Sequence, residues 1–142
     1  MKPKFLLIPT EKIPEIWDLI EPYVQEFSES KSSRTTVENL KNLFYSGKLR
    51  CWVVWLEEEQ KIQAVVGVTV KQAENGEKIA SIAMAQGYRR KDWIDIVKDI
   101  EEWARNEGCS VVQLSGRKGW ARDLEDYKIR LYLMEKPLEM RV

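Results

Sequence analysis

Tyr88-Arg89-Arg90-Lys91 is a basic run with no acid until Asp92, ahead of a segment that reads as a helix. Cations at a helix start make an anion clamp. Free amides and the helix dipole attract negative charge, and guanidinium forks hold phosphate oxygens. Such a clamp would take a phosphate, a phosphopantetheine arm or a nucleic-acid backbone; the same residues also suit a solvated turn. A second basic group, Arg117, Lys118, Arg122, Lys128 and Arg130, follows, diluted by Asp123, Glu125 and Asp126. Within it, Gly116-Arg117-Lys118-Gly119-Trp120 has glycines at both corners of a turn but lacks the G-x-x-x-x-G-K-[ST] spacing of a P-loop. Trp120 either fills a cleft or anchors a partner.

Histidine is absent from the 142 residues. That excludes histidine metal sites, Ser-His-Asp and Cys-His arrangements, and the commonest base near neutral pH. Acid–base work would fall to Glu, Asp, Tyr, Cys, Lys or water. Glu57 to Glu59 sit at a hairpin tip and Glu77 opens a strand, positions of solvent-facing charge. Ser115 follows a strand, where α/β proteins place ligands, but has no base to activate it. Cys51 and Cys109 lie in apolar runs and read as buried thiols; without a C-x-x-C pair, neither zinc nor a disulfide framework is suggested.

Basic and acidic residues number 23 each, which argues against a protein held on nucleic acid by counterion release. No run approaches the roughly 20 apolar residues of a membrane span. The apolar stretch after Met1 is too short for a secretory signal. The expectation is a cytoplasmic protein with no membrane partner, no metal, and nucleic acid disfavoured.

The elements that must position these residues read as one domain, 1–142, without repeat or linker. Phe5 to Ile8 is a strand. Thr10 caps a helix with apolar positions Ile13, Ile16, Trp17, Ile20, Val24 and Phe27, which Pro22 should kink or divide. Ser28 to Arg34 reads as a mobile loop. Thr35 and Glu38 form a capping box for a second helix that Gly47 ends. Strands follow over 49–56, 62–70 and 79–85, the last pair joined at Asn75-Gly76. Asp92 caps a helix over 93–107, whose Trp93, Ile96, Val97, Ile100, Trp103 and Ala104 share a face and whose end is Gly108. A strand over 109–114, a short helix over 120–125 and a last strand over 128–134 complete the chain. The order β-α-α-β-β-β-α-β-α-β makes a mixed α/β (α+β) sheet with helices on both faces.

This order resembles that of the GCN5-related N-acetyltransferases (GNAT family). Tyr88-Arg89-Arg90-Lys91 resembles the "YRG(K/Q)" that opens the family's pyrophosphate loop. Trp103-Ala104 with Gly108 resembles its helix end, and Ala121 to Tyr127 its terminal "AxxLYxxxGF". Glu101-Glu102-Trp103-Ala104 together with Gly116 to Trp120 resembles small GNAT-like proteins of tailed bacteriophages, which would place the chain in a host cytoplasm or a phage particle. The resemblance implies acetyl-CoA as cofactor of an enzyme, with Met84, Arg89, Arg90, Lys91 and Asp92 at the cofactor. Two departures count against catalysis. Aligned from Arg89, the glycines of R-x-x-G-x-G/A are replaced by Asp92 and Ile94, a carboxylate and a β-branched side chain where phosphates must approach the backbone. The tyrosine that protonates the leaving thiolate has its counterpart at Arg122, and Tyr127 reads as a packed aromatic. No catalytic residue can be named. The resulting expectation is a non-catalytic or atypical GNAT-like protein acting through protein contacts, with Tyr88, Arg117, Trp120 and Arg122 at the partner surface and no cofactor needed. An active acyl-CoA-dependent N-acetyltransferase is the alternative, and a nucleic-acid-binding accessory protein the third reading.

Overall fold

The computed structural model describes residues 2–30, 33–116 and 118–140. Five strands form one sheet in sequence order: β1 (Lys4–Ile8), β2 (Arg50–Leu56), β3 (Lys61–Gln72), β4 (Lys78–Gly87) and β5 (Val111–Leu114). The first four are antiparallel neighbours, and β5 lies parallel to β4. β-Branched residues in β2 and β3 face both ways, and both faces are covered. On one, α1 (Ile13–Glu29) and α2 (Val37–Ser46) set Ile13, Trp17, Ile20, Val24, Leu40 and Phe44 against Cys51, Val53, Val65 and Met84. On the other, Trp93 and α3 (Ile96–Asn106) bring Ile96, Val97, Ile100 and Ala104 onto Trp52, Val54, Ala64, Val66, Val68 and Ile82. A short α4 (Lys118–Asp123) follows β5.

Several boundaries differ from the expectation. α1 starts at Ile13, after a 3₁₀ turn over Thr10–Lys12, and runs unbroken through Pro22 to Glu29. The fully buried Ile20 and Val24 on either side hold it there despite the missing donor. Ser28 and Glu29 are therefore helical, not loop; Lys31 and Ser32 lie outside the described residues. Thr36, not Thr35, caps α2, accepting the Asn39 amide at 3.1 Å, while Thr35 accepts from the Asn39 side chain. Gly47 and Gly108, at φ 80° and 85°, close α2 and α3 as a left-handed turn requires. α3 begins three residues later than its periodicity suggests, and α4 two residues earlier.

The largest correction is at the end of the chain. Residues 128–134 form no strand, and the element order stops at β-α-α-β-β-β-α-β-α. Tyr127 Oη donates to Glu101 at 2.8 Å, and Arg34 meets Glu135 at 2.6 Å. Between these two tethers the segment has β-forming residues but no neighbouring strand, and propensity alone makes no strand.

Cys51 gives a test of the first core. It is 1% exposed, and burial pushes its thiol from 9.0 up to about 12. The unfolded thiol loses its proton above about pH 9 while the folded one keeps it, so the native state binds more protons and stability falls from pH 9 toward 12. Tyr23 and Tyr127, both raised first by burial, steepen the same fall. Melting temperatures of the native chain are expected to drop faster between about pH 9 and 12 than those of Cys51→Ala. Parallel slopes would show that the thiol is not shielded.

Candidate functional site

β4 carries a bulge. Gly67 pairs with Met84 and Val68 with Ile82, so Ala83 is the extra residue. The pairing with β5 runs from Ile79–Val111 to Ile82–Leu114 and stops at that bulge. Past it, among the described residues, the backbone edge of Met84 to Gly87 has no strand on the β5 side. A bulge bends its strand and strengthens the local twist, so β4 and β5 part at this point. The parted edge leads directly into the basic loop.

That loop is wound on itself. Arg89 stands at φ 57°, a left-handed conformation uncommon for a residue with a Cβ. Residues Arg90–Asp92 make a 3₁₀ turn, in which the amides of Asp92 and Trp93 donate to the carbonyls of Arg89 and Arg90 at 2.8 and 3.0 Å. Asp92 does not cap α3 as expected. Its Oδ2 instead takes the Arg89 guanidinium at 2.9 Å and a longer bond from Gln63 Nε2 at 3.4 Å. Asp95 precedes α3 without a side-chain cap. Among the described residues Gln63 is the buried polar one, at a bulged position of β3 opposite Val54 and Trp55. Among the described residues its Oε1 has no hydrogen-bond partner. Beside it, a hollow of about 380 Å³ is lined by Glu57, Glu58, Glu59 and Asp92 against Lys2 and Arg89, an acidic setting that repels phosphate.

The other cation of the loop is also engaged. Arg90 sets Nε and Nη2 on Asp123 Oδ2 of α4 at 3.0 and 2.7 Å, and its guanidinium lies 4.9 Å from the Trp120 ring centroid. Trp120 in turn meets the buried Trp93 edge-on, centroids 6.2 Å apart. This stack ties the loop to α4. Beyond it, Arg90, Lys91, Gly119, Arg122 and Asp123 line a recess of about 240 Å³, with more cations than acids.

The predicted residues thus fall into separate groups. Met84 is buried under α1 and α2, so only its backbone reaches the β4 edge. Arg89 and Asp92 pair with each other, and Arg90, Lys91 and Arg122 meet at the recess. Tyr88 turns away from them, under the Lys61 ammonium at 5.3 Å and beside Tyr23 of α1. Trp120 is half-buried against the second core. Arg117 lies outside the described residues. Tyr127 packs on α3, and burial, then the bond to Glu101, holds its phenol far above the ordinary range. Sequence reasoning missed Gln63 and Asp123. A lone amide in the run Ile62 to Val70 was a signal for the first. Nothing local marks Asp123 as the partner of a residue so distant in the chain.

At the level of sequence, no family model and no curated relative matches the chain. Solved structures do match over nearly its whole length. An aminoglycoside acetyltransferase from an uncultured soil metagenomic sample, in complex with trehalose, has a TM-score of 0.68 at 17% identity, over 96% of this chain and 97% of that one. A Trypanosoma brucei acetyltransferase has a TM-score of 0.65 at 11% identity, over 98% and 100%. A GNAT family acetyltransferase of Staphylococcus aureus has a TM-score of 0.62 at 16% identity, over 97% and 100%. The fold is therefore that of the GNAT acetyltransferases. Among the described residues no helix is long and apolar enough to cross a membrane.

Proposed function

We propose that this GNAT-fold chain acts through protein contacts and does not transfer acyl groups. One observation carries the reading: beside the parted β4–β5 edge, both arginines of the loop are taken by carboxylates of the same chain. Asp92 holds a carboxylate where a pyrophosphate would lie, Arg89 neutralises it, and Asp123 occupies Arg90. A diphosphate would have to compete with two intramolecular ion pairs, one open to solvent and one partly buried, and face the carboxylates it displaced. The loop and α4 then offer a surface of arginine and aromatic residues, the types enriched at interface hot spots, with Tyr88 on one side and Trp120 and Arg122 on the other. On this reading, the resemblance of Glu101–Ala104 and Gly116–Trp120 to phage-encoded proteins makes a host-cell or phage-particle protein the partner to test first.

The test is calorimetric titration of the native chain with acetyl-CoA. No heat of binding is expected up to millimolar ligand. Asp92→Gly with Ile94→Gly is expected to gain measurable affinity, at a cost in stability. Micromolar binding by the native chain, unimproved in the double variant, would overturn the reading.

A second reading rests on the cation-rich recess. In an active N-acetyltransferase, Arg90, Lys91 and Arg122 would hold the anionic end of acyl-CoA in place of a backbone cradle. Its acceptor would be an amine-bearing small molecule, the class named for the soil acetyltransferase. Asp123→Ala should then tighten acetyl-CoA binding, since it removes the acid lining that recess.

A further inference from the structure

We propose that the hollow between the β2–β3 tip and the loop at Asp92 binds a linear diamine, held as a ligand and not acetylated there. Two independent observations carry this. The first is a buried acceptor. Gln63 is 1% exposed, stands in the wall of the hollow, and its Oε1 has no donor among the described residues. Its Nε2 is already turned to Asp92, so flipping the amide would set its oxygen against a carboxylate. What this wall lacks is a donor.

The second is the charge around that amide. Glu57, Glu58, Glu59 and Asp92 outnumber Lys2 and Arg89 by two in the lining. Glu57 is engaged through Oε2, by Trp55 Nε1 at 2.6 Å and Lys4 at 3.9 Å. Glu59 meets Lys61 through Oε2 at 3.4 Å, and Asp92 meets Arg89 and Gln63 through Oδ2. Among the described residues the second oxygen of each of these acids has no partner, and Glu58 makes no ion pair. The existing ion pairs are open to solvent and therefore weak competitors.

The ligand class follows from the spacing of these groups. Among the described residues no three acids come together closely enough to hold a metal ion, so a compact divalent cation would meet too few oxygens. A cation whose charges are spread along a chain has no such requirement. Each primary ammonium carries three donors and no acceptor. One end can give to Gln63 Oε1 and the second oxygen of Asp92, the other to the carboxylates of the tip. The methylenes between them would lie along Pro3 and Leu56, the apolar part of the lining. A volume of about 380 Å³ suits a small molecule, and a surplus of two acids matches a dication. Among the described residues none from β4, β5, α1, α2 or α4 lines the hollow. It is thus separate from the parted β4–β5 edge, and the proposal stands whether or not the chain transfers acyl groups.

Calorimetric titration of the full chain with 1,4-diaminobutane should give a saturable one-to-one isotherm. n-Butylamine, with a single charge, should bind at least about tenfold more weakly, the order for one lost charge-assisted contact. Gln63→Leu removes the buried acceptor but keeps an apolar side chain in place, and should weaken the diamine about tenfold. Glu58→Gln, on the exposed tip, should weaken it severalfold without touching the core, whereas Glu125→Gln, an exposed acid elsewhere, should change nothing. In nuclear magnetic resonance spectra the amides of 57–63 and 89–92 should shift on titration. No saturable binding, equal affinity for the two amines, unchanged affinity in Gln63→Leu or in Glu58→Gln, or shifts confined to the β4–β5 edge would each overturn the proposal. The last would place the amine where an acetyl acceptor lies.

Discussion

Trp93→Ala is expected to destabilise the chain by about 3–5 kcal/mol, the range for truncating a buried tryptophan. Trp93 is 2% exposed and is the largest of the fully buried side chains. Three contacts depend on it. Its indole fills the core beneath β2, β3 and β4, its Nε1 donates to the Tyr88 carbonyl at 2.9 Å, and its ring supports Trp120. Truncation leaves a cavity, an unpaired carbonyl and an unsupported α4 together. Trp93→Phe restores most of the volume but not the donor, so it should recover much of the loss yet remain about 1–3 kcal/mol short. A urea titration measures both. If Trp93→Ala costs less than about 1 kcal/mol, the loop is held by something other than this ring.

Gly87→Ala should cost about 3 kcal/mol or more, at the upper end for overpacking. A Cβ at Gly87 would lie 2.4 Å from the Ala64 Cβ, 2.5 Å from the Gln63 carbonyl oxygen and 2.6 Å from the Ala64 Cα. Two of those atoms are backbone in the paired strand, where no rotamer change makes room. The effect is one of space, because no positive φ is involved. Thermal melting should show the loss, and amide exchange should rise first in β3 and β4. A stable, fully protected Gly87→Ala would mean that the end of β4 can slide away from β3.

The antiparallel run β2–β3–β4 was legible because its determinants are local: β-branched stretches, polar tips and an Asn-Gly turn. The inner face of α3 was legible from spacing, and Ile96, Val97, Ile100 and Ala104 are all buried. What escaped depends on partners distant in the chain. Asp92 reads as a cap from its neighbours, but Gln63 and Arg89 claim its carboxylate. Arg90 reads as a free cation until α4 brings Asp123 to it. Residues 128–134 have the composition of a strand, but among the described residues no strand lies beside them to pair with. Pro22 misled in the opposite sense, since core packing outweighed one lost helical bond.

The bond between Gln63 and Asp92 has a consequence for how this loop could change over generations. Placing a glycine at position 92 strips the buried amide of Gln63 of its acceptor while, among the described residues, Oε1 is already without a partner. An orphaned buried donor costs about 1–3 kcal/mol. Replacing Gln63 first by an apolar residue leaves Asp92 with only its ion pair to Arg89, a contact open to solvent. The two positions are therefore epistatic in one order only: glycine at 92 first is penalised, whereas an apolar residue at 63 first removes the unpartnered Oε1 and leaves Asp92 its solvent-open ion pair. A lineage carrying both residues therefore reaches a glycine at 92 by a narrow route, through position 63.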